Sequence, residues 1–311
     1  MTTVLIIAAL LIIIVLGIVY AVYRIAFYSP RGNQNDIHNL PPGEQYNREA
    51  DRTWAMVNEL AVVPYEEVSI VSNDGLRLKG MYYHTNDGAP LDIGFHGYRS
   101  TAVRDFCGGA IMSMEEGHNV LLVKQRGCCD SEGHTITFGV KEQQDCLSWI
   151  NYAIERFGKK TQIALYGISM GAATVLCASG LELPDNVKGV IADSPFSAPI
   201  DIIETVAVDM GIPRVVVKPL ALAAARIFGG FDLHGASAVE AVKNAKVPIL
   251  IIHGEDDRFV PCEMGRAIHR ACPDGAEIVT FPDAGHAISY LADEPRYRSI
   301  INGFWERVYE K

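Results

Sequence analysis

The chain has 311 residues, with 27 Lys plus Arg against 37 Asp plus Glu and a formal net charge of −10. That balance argues against a nucleic-acid binder, which needs a basic patch to displace counterions. With 49% hydrophobic and 21% charged residues the composition is that of a chain able to bury a sizeable core, not a disordered one.

Val4 to Tyr23 is an uncharged apolar run. At a rise of about 1.5 Å per residue it spans roughly 30 Å, the hydrocarbon thickness of a bilayer. A cleaved signal peptide would want a basic start, a shorter run and a small-residue cleavage site. No Lys or Arg precedes the run, and Ala21-Val22-Tyr23 is a poor cleavage signal. Residues 1–28 are therefore expected to be a membrane anchor, with Tyr20, Tyr23, Phe27 and Tyr28 as an interfacial aromatic belt. Arg24 and Arg31 follow the span, which puts the body on the cytoplasmic side by the positive-inside tendency. Cys107, Cys128, Cys129, Cys146, Cys177, Cys262 and Cys272 are an odd set without disulfide-scaffold density, in keeping with a reducing compartment. They include no Cys-x-x-Cys pair and no zinc spacing. Adjacent Cys128 and Cys129 read as ordinary loop thiols before they read as a redox pair.

Residues 29–64, with Pro30, Pro41 and Pro42, read as a linker entering a short helix near 50–60. Glu67–Val71 and Leu76–Tyr83 flank Ser72-Asn73-Asp74-Gly75, a hairpin signal. Strand and helix then alternate. Strands are expected at 91–95, 119–123, 162–166, 187–192, 247–252 and 276–281, with helices at 102–116, 140–157, 171–179 and 297–309. Short apolar strands between amphipathic helices imply a mostly parallel, doubly wound sheet with an antiparallel N-terminal edge. Between Pro195 and Ala245 about fifty residues of helical character interrupt the alternation; long insertions in compact domains are usually functional, and 197–240 is expected to be a lid.

Three stretches carry chemistry. Gly167-Ile168-Ser169-Met170-Gly171 lies between an apolar strand and a helix rich in small residues, where a sharp strand-to-helix turn exposes a Ser hydroxyl. His253-Gly254-Glu255-Asp256-Asp257 follows a later strand and brings a carboxylate to the same rim; Asp257 is the choice, with Asp256 or Glu255 as alternatives. Ala284-Gly285-His286 follows the last strand, where loop freedom lets an imidazole reach both groups. The chain order Ser169, Asp257, His286 is that of a nucleophile, an orienting acid and a base. The backbone N–H groups of Tyr98, after the first parallel strand, and of Met170 are the candidate oxyanion donors. His96 is read as orienting that loop, not as a base.

With these motifs the sequence resembles the α/β-hydrolase superfamily, and within it the membrane-anchored serine hydrolases of the serine aminopeptidase-like and Bem46-like group. The resemblance covers roughly residues 65–309. It rests on the His96-Gly97 loop, the Ser169 turn, Asp193-Ser194-Pro195-Phe196, the His253 to Val260 stretch and Gly285-His286. It implies an α/β-hydrolase domain over 65–311, a triad of Ser169, Asp257 and His286, and hydrolysis of an ester, thioester or amide through an acyl-enzyme. No metal or cofactor is implied. The expected substrate is a small-molecule or lipid acyl compound. An aminopeptidase-like peptidase, an acyltransferase and a non-catalytic binding protein stay open as alternatives. Where relatives often carry Asp-x-Arg-Gly-x-Gly-x-Ser, this chain has Lys124-Gln125-Arg126-Gly127-Cys128-Cys129-Asp130-Ser131, with Asp130 read at the second Gly position.

Overall fold

The computed structural model describes residues 1–30, 36–41 and 43–309; Arg31 and Pro42 lie outside them. Eight strands form one sheet in the order β1-β2-β4-β3-β5-β6-β7-β8. β1 (Glu66–Val71) and β2 (Arg77–Tyr83) form an antiparallel edge, and β2 pairs antiparallel with β4 (Asn119–Lys124). The other strands, β3 (Leu91–Phe95), β5 (Ile163–Ile168), β6 (Val187–Asp193), β7 (Ile249–Gly254) and β8 (Glu277–Phe281), run parallel with β4. Ser72–Gly75 makes the hairpin turn, with Gly75 at φ 87°. This is the α/β-hydrolase architecture.

β3, β5 and β7 are buried along their whole length, because helices cover both faces. Trp149 and Ile150 of α6 (Glu142–Phe157), with Val175 and Leu176 of α7 (Met170–Ser179), fill one side. Leu60 of α3 (Ala50–Ala61), Phe106, and Tyr297, Phe304 and Trp305 of α13 (Glu294–Val308) fill the other. α2 (Glu44–Arg48) precedes α3. The helix expected over 102–116 is broken at Phe106 into α4 (Ala102–Asp105) and α5 (Cys107–Glu115). The break frees the Asp105 carboxylate to accept from Gly97 N–H at 2.7 Å, while Thr101 caps α4 through Arg104 N–H.

The loop after β4 corrects one detail of the sequence reading. Cys129, not Asp130, takes the left-handed conformation at φ 51°, so the second Gly position falls to Cys129. Asp130 instead pairs with Lys124 at 2.9 Å and Lys79 at 3.0 Å. Buried Arg126 ties the loop down through Asp145 and Asp74. None of the seven cysteines is joined in a disulfide, and burial pushes the Cys129 thiol up to about 11, away from the reactive thiolate.

Between β6 and β7 the chain leaves the sheet through α8 (Pro199–Asp209), α9 (Arg214–Ala224) and a wide turn over Ala225–Gly229, before α10 (Ala238–Ala241). α11 (Cys262–Ala271) and α12 (Ser289–Ala292) complete the fold. At the other end of the chain α1 (Thr2–Ala26) is long and apolar enough to cross a membrane. Its exposed length projects from the body, and its last turns dock on it. Val19, Tyr23 and Phe27, four residues apart, are buried in one cluster with Ala221 and Ala224 of α9, Phe138 and Phe231.

Candidate active site

β5 ends one residue before Ser169, which sits at φ 56°, ψ −114° as α7 begins. A non-glycine residue there is strained and needs its surroundings to hold it. The surroundings do so by closeness that only glycine permits. A Cβ on Gly167 would collide with the Gly171 carbonyl, and one on Gly171 with the Phe95 carbonyl. Because that second obstacle is backbone, it cannot swing away. Gly171→Ala should destabilise the fold by on the order of 3 kcal/mol and lower Tm by about 10 °C in a thermal melt of the full chain; an unshifted melt would mean that the turn is not under this constraint.

Ser169, His286 and Asp257 form one hydrogen-bonded line. Ser169 Oγ lies 2.8 Å from His286 Nε2, and His286 Nδ1 lies 2.7 Å from Asp257 Oδ2. All three are buried. Asp257 Oδ1 accepts from the backbone N–H of Phe259 at 2.9 Å and of Val260 at 2.7 Å. Buried His253 donates to the Val260 carbonyl at 2.8 Å and lies 3.4 Å from Asp257 Oδ2. Burial alone would raise the Asp257 carboxyl. The His286 charge and the hydrogen bonds from His253, His286 and Val260 outweigh it and bring the carboxyl down to about 2. Of the three acids in this stretch, Asp257 is the one that reaches His286; Asp256 is exposed, and Glu255 accepts from Thr280 Oγ1 at 2.5 Å.

The His286 loop is held from two sides. Tyr46 of α2 donates to the His286 carbonyl at 3.1 Å. Ala287, at φ 56°, donates its N–H to Ser194 Oγ at 3.1 Å. Ser194 in turn donates to buried Asp193 at 2.9 Å, and Tyr297 donates to the other Asp193 oxygen at 2.8 Å. In the sequence Asp193-Ser194 shows only as a motif before the insertion, and neither Tyr46 nor Tyr297 carries a site signal. Both come from elements far away in the chain, and no local signal marks them.

The loop after β3 lies against the serine, so that a Cβ on Gly97 would sit 3.4 Å from Ser169 Cβ. His96 is fully buried and bonds within the loop: Nδ1 lies 2.8 Å from the Gly97 carbonyl, and Gln125 N–H donates to Nε2 at 3.1 Å. Burial lowers its pKa, which favours the neutral ring that this pattern requires. The next two residues reach the end of α1. Tyr98 donates its hydroxyl to the Ala26 carbonyl at 2.8 Å, and Arg99 donates to the carbonyls of Ile25 at 2.9 Å and Tyr28 at 2.6 Å. A guanidinium on the free carbonyls of a helix C-terminus satisfies groups with no partner inside the helix and meets the negative end of its dipole. The sequence marks Tyr98 for its backbone alone, and nothing in it shows that the apolar helix is clamped to this loop.

Ser169 opens into a cavity of about 240 Å³ walled almost wholly by apolar side chains, among them Phe138, Ile202, Val206 and Leu220. A larger, open groove of about 540 Å³, lined by Glu66, His84 and Arg156 among others, lies by the N-terminal ends of β3 and β4. Ser169 lies past the C-terminal end of β5, at the other end of the parallel strands.

Two family models match in succession: one of the alpha/beta hydrolase fold over residues 96–213 and one of the dienelactone hydrolase family over residues 211–310. The protein bem46 of Schizosaccharomyces pombe is 24% identical over 296 residues, covering 94% of this chain and 88% of its own. The uncharacterized protein YqkD of Bacillus subtilis is 22% identical over 297 residues, covering 95% and 94%. Among solved structures, an esterase of Pyrococcus furiosus superposes with a TM-score of 0.66 at 21% identity, over 81% of this chain and 94% of that one. An acylaminoacyl peptidase of Pyrococcus horikoshii gives 0.60 at 20% identity, over 83% of this chain and 44% of that one. Sheet order, family models and relatives matched over nearly the whole length agree: the chain has the α/β-hydrolase fold and is similar to bem46.

Proposed function

We propose that the protein is a serine hydrolase that cleaves acyl esters, or the related thioesters and amides, through an acyl-enzyme. The observation that carries this reading is the buried Ser169–His286–Asp257 hydrogen-bond line facing an apolar cavity. Ser169 Oγ attacks the acyl carbon as His286 Nε2 takes its proton, and the imidazolium returns that proton to the leaving group. Asp257 holds the ring and its charge. The N–H groups of Tyr98 and Met170 stabilise the oxyanion. Water then repeats the sequence on the acyl-enzyme and releases the acid. Ester cleavage is favoured over removal of a peptide N-terminal residue, because the cavity wall offers hydrocarbon where a charged amine would have to sit. The segment 197–240 acts as the lid of that cavity, α1 anchors the enzyme in the membrane, and Arg24 behind it favours a cytoplasmic body.

A fluorophosphonate probe tests this directly. The full chain should be labelled in detergent or nanodiscs, and Ser169→Ala should not. Equal labelling of both, or of neither, overturns the proposal.

A further inference from the structure

We infer that the membrane helix is itself a wall of the acyl pocket, and that the substrate is an acyl ester whose aliphatic chain reaches Ser169 sideways from the lipid leaflet. The inference rests on the serine hydrolase reading and adds a substrate class and a route to it.

Three observations converge. The first is the position of the membrane surface on α1. Every residue through Ile18 is exposed, and burial against the body begins at Val19. The exposed apolar side chains from Val4 to Ile18 belong in hydrocarbon, and the polar surface of the body that packs from Val19 onward does not. The surface therefore falls near Val19 and Tyr20. The second is the cavity itself. Val22, Ile25 and Ala26 of the same helix line the space into which Ser169 opens. They follow Val19 by three to seven residues, or about 5–10 Å along the axis, so the cavity begins at headgroup depth. The third is the skin of the inserted segment. Met210, Val215 and Ile227 are 68%, 81% and 56% exposed. Phe228 sets its ring 5.1 Å from that of Tyr20 on α1. Exposed apolar side chains gathered beside a membrane helix mark a face that rests in lipid. Lys218 and Arg226 are exposed on that same segment, where they can meet anionic headgroups.

Together these make a continuous apolar path from leaflet to nucleophile, walled on one side by α1 and on the other by α8 and α9. A hydrocarbon cavity of about 150 Å³ accommodates a six-carbon ring. By that measure the 240 Å³ here holds on the order of eight to ten carbons of one chain. The ester carbonyl then lies at Ser169, and the remainder of the molecule stays at the surface.

The test uses the full chain in nanodiscs of non-hydrolysable diether lipid, with p-nitrophenyl decanoate and p-nitrophenyl acetate as substrates. The ratio of kcat/KM for decanoate over acetate should be about 100 or more in the wild type. Val22→Trp, on the α1 wall, should cut it at least tenfold. Ala207→Trp narrows the cavity from α8 and should do the same even if the α1 variant fails to assemble. In nanodiscs doped with a diacyl ester phospholipid, the wild type should release free fatty acid and Ser169→Ala should not. Fluorophosphonate labelling separates the two levels. Ser169-dependent labelling with an unchanged chain-length ratio in both tryptophan variants overturns the pocket assignment alone. Labelling and decanoate turnover without fatty acid from the leaflet overturn lateral access. Loss of Ser169-dependent labelling in the wild type overturns the hydrolase reading beneath both.

Discussion

Replacing Ser169 or His286 by alanine should each lower kcat about 10⁶-fold on a soluble acyl ester, and replacing both should cost no more than replacing one. The two groups are 2.8 Å apart, and in the proposed mechanism they act in one event. Without the imidazole the hydroxyl keeps its proton and is a poor nucleophile; without the hydroxyl the imidazole has nothing to activate. Each single variant therefore removes the whole acyl-enzyme route, and the second substitution has nothing left to remove. The residual rate, about 10³-fold above water, would come from the oxyanion donors and from holding the ester in the cavity. Steady-state kinetics on the full chain settle the matter. Losses that multiply in the double variant would mean that Ser169 and His286 contribute independently, and the acyl-enzyme mechanism would be wrong.

The sequence was most informative where local pattern and chemistry coincide. The alternation of short apolar strands with amphipathic helices carried the parallel sheet, and each of Ser169, Asp257 and His286 was marked by lying just past such a strand. The Ser169 turn was legible because its glycines are demanded by backbone contact: Gly171 meets the Phe95 carbonyl, a residue 76 positions away, yet the need shows as a local motif. What stayed hidden is long-range by nature. Nothing near Tyr46 or Tyr297 says that they will brace the His286 loop or its Ser194–Asp193 support. The choice among three consecutive acids depends on which one the turn after β7 aims inward, and periodicity does not reach that scale. The break at Phe106 goes with the hydrogen bond from Gly97 N–H to Asp105, a tertiary contact that a continuous helical pattern does not show.

The apolar N-terminal run shows the same limit most clearly. Hydropathy gives its length and its capacity to span a bilayer, and treats it as separable from the domain. The structure joins the two through Tyr98 and Arg99, which bind carbonyls at and just past the end of α1 from the very loop that faces Ser169. Removing α1 would strip these side chains of their partners and open one wall of the cavity. Activity measurements accordingly belong on the full chain.

Asp257→Asn should leave the fold intact and lower kcat about 10⁴-fold, through the tautomer of His286. Asp257 Oδ1 accepts from the N–H groups of Phe259 and Val260, so an asparagine must put its carbonyl oxygen there. Its amide NH₂ then faces His286 Nδ1, which has to become the acceptor. The ring proton moves to Nε2, and the nitrogen facing Ser169 can no longer take a proton. The carboxylate also leaves a signature in stability. Its pKa is lowered from 3.8 to about 2. A carboxyl depressed in the folded state stabilises the fold above its unfolded pKa, and that contribution fades as pH falls through the folded one. The wild type should therefore exceed Asp257→Asn by about 2 kcal/mol at pH 7, and the gap should close between about pH 4 and pH 2. Urea unfolding of both chains at pH 7, 5 and 3 reads the difference. A gap that stays constant to pH 2 would place the stabilisation in packing, whereas one absent at pH 7 would mean that the carboxylate gains nothing from His286 in the folded protein.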